Sequence, residues 1–243
     1  MLTTDRDASS VNAVFRGALM LDSDRHSLLH TRAAPIPHGL LDGLSLHDAD
    51  LPDEALRFAR NCRVVAWDIE TSGLHWVTDR IATCQVYVPN HAVYVVRVDA
   101  GRHDNLRALL ADPDVTKLFH HAVFDLRFLS HHWGVVASNV MCTKIASKVL
   151  NPGATDHTLK GLLARYLSEP IEKGLRMSNW FGELTEEQLR YAATDVVHLP
   201  RLFRVLADEL RDSKRWPLAQ ASFDYLPTRV ALDLAGCQDV FTY

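Results

Sequence analysis

Cysteine is scarce. Cys62, Cys84, Cys142 and Cys237 are scattered through 243 residues with no Cys-x-x-Cys pair among them, which excludes a disulfide-stapled extracellular scaffold and gives no support to a structural zinc site. No stretch is long and apolar enough to span a bilayer as a helix, and Met1–Ser10 carries charges where a signal peptide needs an apolar core. A surplus of positive charge is missing as well: 26 Lys and Arg face 30 Asp and Glu, a formal net charge of −4. Proteins that coat long nucleic acid through bulk electrostatics need the opposite balance, so any nucleic-acid contact here has to be local. Internal repeats and low-complexity tracts are also lacking. These absences lead us to expect a soluble, intracellular, cytoplasmic protein.

What is present suits one principal globular domain, since 47% of residues are hydrophobic and 23% charged. Residues 1–50 show no clear periodicity and hold turn signals such as Pro35-Ile36-Pro37-His38-Gly39. We read them as an N-terminal extension, either strands or a partly ordered arm, and place the edge of the main domain, 51–243, near Leu51. Three β-branched, apolar runs follow, at 63–69, 81–88 and 92–98, separated by turn segments in the manner of a meander. A helix at 105–110, a buried strand at 115–120, a helix at 124–133 and a strand-helix step through 140–149 come next. Further helices are predicted at 158–167 and from Thr185, where Thr-Glu-Glu-Gln has capping-box spacing, towards Leu210. The fold class is α/β, a mixed sheet flanked by helices with an all-helical second half.

Acidic residues carry the chemistry. In Val64-Val65-Ala66-Trp67-Asp68-Ile69-Glu70, two acids stand two apart at the end of an apolar strand, and period-two geometry sends both to one face. The plain alternative is that strand ends turn polar. Asp125, after Phe119-His120-His121-Ala122-Val123-Phe124, sits in the first turn of a helix, where an acid also serves as an ordinary cap. Tyr191 and Asp195, four apart in Arg190-Tyr191-Ala192-Ala193-Thr194-Asp195, share one helix face. That stripe continues through His198 and Leu199, and a buried carboxylate there needs a cation or a donor beside it.

Strand acids, a helix-start acid and a Tyr-x-x-x-Asp helix, in that order, resemble the DEDD 3′-5′ exonucleases in their tyrosine variant. The run Ser178-Asn179-Trp180 … Leu184-Thr185-Glu186-Glu187-Gln188-Leu189-Arg190-Tyr191 through Val196 is similar to the ribonuclease D group. A narrower resemblance, from about Leu46 to the C-terminus, is to the short nanoRNase C enzymes. It rests on Lys117-Leu118-Phe119-His120, Cys142-Thr143-Lys144-Ile145-Ala146-Ser147-Lys148 and the tail Phe223-Asp224-Tyr225-Leu226-Pro227-Thr228-Arg229. Departures are the leader of about fifty residues and Ala122-Val123 before Phe124-Asp125.

The resemblance implies a ribonuclease H-like sheet and two divalent cations, Mg²⁺ or Mn²⁺, on Asp68, Glu70, Asp125 and Asp195, a donor set of hard oxygens. By the same likeness Asp68 bridges the two cations, Glu70 and Asp195 serve the one that activates water, Asp125 helps hold the other, and Tyr191 orients the water. The implied substrate is RNA trimmed from its 3′ end, short oligoribonucleotides above all, with longer structured RNA or DNA as the alternative. A non-catalytic nucleic-acid-binding protein is the remaining one.

Thr71-Ser72-Gly73-Leu74 offers a turn in which glycine permits tight geometry and backbone N–H groups meet the terminal nucleotide. In short-RNA enzymes of this pattern the leucine wedges between the last two bases; the alternative is that Leu74 packs under the turn. His120 and Lys160 match family positions for phosphate or ribose contact, against the plain readings of a satisfied histidine and a solvated lysine. Trp180 and Tyr225 are candidates for base stacking or for core packing. Closed homo-oligomeric rings, with the C-terminal tail as the contact, are a further expectation from the resemblance.

Overall fold

Asp68 and Glu70 owe their setting to strand order. In the computed structural model, which describes residues 43–98, 101–169, 171, 178–237 and 239–242, six strands form one sheet in the order β1-β4-β3-β2-β5-β6. Residues 1–42 of the expected extension lie outside the described residues; those described all belong to one unit, Ala34–Tyr243. The strands are β1 Leu44–Asp48, β2 Val64–Thr71, β3 Ile81–Val88, β4 Ala92–Arg97, β5 Thr116–Phe119 and β6 Val140–Cys142. β2, β3 and β4 form the expected antiparallel meander. On the other side of β2, strands β5 and β6 run parallel.

Two elements differ from the sequence reading. β1 pairs in parallel with β4, Leu44 opposite Val93 through Asp48 opposite Arg97, so the sheet begins before the edge expected near Leu51. Five residues at a half-exposed sheet edge make too short a run to be placed as a strand by pattern alone. The helix α1, Asp53–Cys62, was also not expected, although Ala55, Leu56, Phe58, Ala59 and Cys62 fall at helical spacing along it, with Ala55, Leu56 and Ala59 buried.

The remaining helices are α2 Asp104–Ala111, α3 Ala122–Trp133, α4 Thr143–Leu150, α5 Leu159–Leu167, α6 Glu186–Val197, α7 Leu199–Asp212, α8 Trp216–Asp224 and α9 Leu226–Leu234. α6 opens on the predicted capping box, with Thr185 Oγ1 accepting from the Gln188 N–H at 3.2 Å and Gln188 Oε1 accepting from the Thr185 N–H at 3.0 Å. The single helix expected through Leu210 is two, because Pro200 cannot continue α6 and instead occupies the first turn of α7. β3 is buried along its whole length, so residues of both parities are covered, as in a sheet with helices on both faces. α1, α6 and α7 all pack on β2. Among the described residues no helix is long and apolar enough to cross a membrane.

Candidate active site

Asp68 pairs with Gln85 and Glu70 with Thr83 across β2 and β3, and the ladder slips between Glu70 and Thr71. The strand thus ends in a bulge just after its two acids, freeing the chain to turn away. α6 lies against β2 and β3 and brings Asp195, 8% exposed, to that spot. One carboxylate oxygen from each of Asp68, Glu70 and Asp195 lies within 4.8 Å of the others.

Asp125, in the first turn of α3, is 2% exposed. Burial, and then the negative charge of Asp68, push its carboxyl far above the ordinary carboxylate range; its own N–H and that of Ile69 on β2 oppose the rise. Its Oδ2 is buried with no hydrogen-bond partner. Asp125 therefore faces the acids of β2 and is more than a cap for α3. Oxygen-only donors, one of them buried without a partner, fit a hard divalent cation better than any soft metal.

Tyr191 stands one turn before Asp195 on α6, its ring 5.8 Å from that of Trp180. Burial first, then the charges of Asp195, Glu70 and Asp68, push the pKa of its phenol well above the usual range. A phenol in this field is a donor that keeps its proton.

The turn after β2 is organised by residues that the sequence reading missed. The Asp79 carboxylate accepts from the His75 N–H at 2.8 Å, the Ser72 N–H donates to the Arg80 carbonyl at 2.9 Å, and Thr71 Oγ1 donates to the Gly73 carbonyl at 2.6 Å. Gly73 allows the tight turn expected of it by leaving room for the Asp79 carboxylate, not through a positive φ. A Cβ there would stand 2.4 Å from Asp79 Oδ2, while only Gly134, Gly182 and Gly236 have positive φ among the described glycines. Leu74 is 65% exposed, which rules out packing beneath the turn.

His120 is half-buried, with Nδ1 2.8 Å from Thr143 Oγ1, and Lys160 is exposed in the first turn of α5. Trp180, at 2% exposure, packs on Tyr191 and does not offer a face for stacking; Tyr225 packs against Phe241 at 5.9 Å.

Residues 45–211 match the family model described as 3′-5′ exonuclease. The chain belongs to this exonuclease family. Its fold is that of the DEDD exonucleases, and among curated relatives it is 38% identical over 108 residues to ribonuclease D of Zymomonas mobilis, covering 44% of this chain. It spans only 27% of that relative and 39% of the Haemophilus influenzae ribonuclease D. Among solved exonucleases, Brucella melitensis NrnC bound to pGG is 38% identical with a TM-score of 0.76, the match covering 82% of this chain and 98% of NrnC. The same nuclease with bound Mg²⁺ is 37% identical at a TM-score of 0.76, with the same coverage.

Proposed function

We propose that this chain is a metal-dependent 3′-5′ exoribonuclease that releases nucleoside 5′-monophosphates and favours short oligoribonucleotides. The observation that carries the reading is the meeting of Asp68, Glu70 and Asp195 within 4.8 Å, with the buried Asp125 lying in the field of Asp68, in a chain of the exonuclease family. Two divalent cations, Mg²⁺ or Mn²⁺, would be held by these four acids, and when bound they supply water activation and neutralise charge on the phosphate and leaving oxygen. Asp68 would help hold both cations, Glu70 and Asp195 one of them and Asp125 the other. Tyr191 keeps its proton and orients the attacking water beside Asp195. Thr71 and Gly73 shape the turn whose N–H groups meet the terminal nucleotide, Leu74 wedges against its base, and His120 and Lys160 contact phosphate or ribose.

The preference for short RNA draws support from the pGG bound by NrnC, from the exposed Leu74 and from a net charge of −4, which disfavours capture of long polyanions. The ribonuclease D likeness favours a second reading, processing of longer structured RNA, with DNA as an additional substrate. A homo-oligomeric ring and a cytoplasmic location belong to the same proposal; light scattering tests the first.

The deciding experiment compares a labelled diribonucleotide, a long RNA and a DNA duplex at equal concentration, in Mg²⁺ and in Mn²⁺, at nucleotide resolution. Cleavage of the diribonucleotide fastest, lost in excess chelator and in Asp68→Asn, is the expected result. Equal or faster cleavage of the long substrates overturns the length preference, and undiminished turnover in chelator overturns the metal assignment.

A further inference from the structure

The loop Ser72–Arg80 leaves β2 directly after the acids and presents Leu74. Its internal hydrogen bonds close it on itself. Its attitude towards α3, the helix that carries Asp125, is set by contacts to that helix. His132 Nε2 donates to the Asp79 carbonyl at 2.9 Å, and the Arg127 guanidinium lies over the Trp76 ring, 4.8 Å from its centroid. Trp76 is two residues past Leu74, so the indole is the loop's nearest large anchor to the proposed wedge.

Arg127 is itself restrained from a distant part of the chain. Asp233, on α9, accepts with one oxygen, Oδ2, from Arg127 Nε at 2.7 Å and Nη2 at 2.6 Å, while its Oδ1 takes Arg229 Nη2 at 2.8 Å. The Asp233 side chain is 7% exposed and those of Arg127 and Arg229 about a quarter. A lone arginine side chain loses more rotamer freedom on being ordered than a single cation over an indole at a partly exposed site returns. The stacking on Trp76 is therefore too weak to order Arg127 unaided. Two charge-assisted hydrogen bonds to a nearly buried carboxylate supply the difference. Asp233 also has a second cation on its other oxygen, which fixes it in place.

We infer that Asp233 is a positioning residue for substrate: through Arg127 and Trp76 it holds the loop that presents Leu74 in the place where the terminal nucleotides bind. This rests on the exonuclease reading above. An ordinary helix staple between α9 and α3 would affect stability alone; a brace for the loop affects substrate affinity, and does so through Leu74.

The test uses the full chain as wild type, Asp233→Asn, Trp76→Ala, Leu74→Ala and the Asp233→Asn/Leu74→Ala double variant. Trp76→Ala cuts the same link from its half-exposed end and leaves the ion triad intact, so it stands in if Asp233→Asn folds poorly. With a labelled short oligoribonucleotide in Mn²⁺, Asp233→Asn and Trp76→Ala are each expected to raise KM about tenfold with kcat within about twofold. In the double variant the Asp233→Asn loss is expected to vanish, because Leu74→Ala has already removed what the brace positions. Amide exchange of residues 72–80 in the free protein is expected to quicken in both single variants. Unchanged KM, a loss confined to kcat, fully additive losses or unchanged exchange would each overturn the inference. A wild type that cleaves nothing with either metal would defeat the exonuclease reading instead, and the exchange measurement would still decide whether Asp233 orders the loop.

Discussion

Tyr191 stands one helical turn before Asp195 on α6, close enough for the Asp195 charge to hold the proton on the half-buried phenol. Its ring packs against Trp180, and its hydroxyl lies in the field of the acids of β2. Three negative charges and burial keep its proton on, so the group acts by donating a hydrogen bond.

Removing that hydroxyl separates orientation from binding. Tyr191→Phe keeps the ring on Trp180 and is expected to fold normally, to lower kcat by about tenfold to a hundredfold and to change KM by less than about threefold. Steady-state kinetics on a short oligoribonucleotide reads both constants; an effect confined to KM contradicts the role.

The buried Asp125 makes metal-free stability depend on pH. Its folded-state pKa lies well above the ordinary 3.8, so the folded protein holds a proton that the unfolded chain releases. The resulting stability is complete below about 3.8 and is lost as pH rises through the folded value. Melting in excess chelator should therefore fall as the pH climbs past the carboxylate range, and Asp125→Asn should flatten the trend. Mn²⁺ competes with that proton and should stabilise more at higher pH. A chelated wild type whose melting point ignores pH would refute the account.

Lys117 should show the opposite dependence. It is fully buried in β5, its Nζ donating to the Asp112 carbonyl at 2.5 Å. Burial lowers its pKa to about 7, with the Asp112 charge opposing. Its folded value lies below the unfolded 10.5, so its contribution is present above that value and lost as pH falls through about 7. Lys117→Met, nearly matched in volume and uncharged, is expected to melt higher than wild type at about pH 6 and to lose that lead by about pH 10, where the wild type keeps its hydrogen bond to Asp112. Parallel melting curves at both pH values would exclude a charged, buried Lys117 as the cause.

Much of the fold was legible because its signals are local. β3 occupies the residues its apolar run marked, Ile81–Val88, and the Thr185–Gln188 box opens α6 where its spacing said. The segment before Leu51 was read as strands or an arm, and β1 could not be placed within it because it is a strand only by virtue of β4, far along the chain. Trp180 was a candidate for stacking on a base, with core packing the commoner fate of such a residue, and its burial against Tyr191 follows from how α6 packs. Gly73 advertised a turn, whereas its need for space arises from Asp79 folding back beneath it.

By itself the sequence determined which acids are available, in what order and on which kind of element. Period two puts Asp68 and Glu70 on one face of a strand, and a four-residue step puts Tyr191 and Asp195 on one face of a helix; both follow from backbone geometry within a few residues. Only the tertiary structure decided that these faces meet, that Asp125 lies in the field of Asp68, and that Asp233 reaches Arg127 from α9. Coulomb energies and desolvation depend on distance through space, and strand order and helix packing set those distances between segments that no local pattern connects.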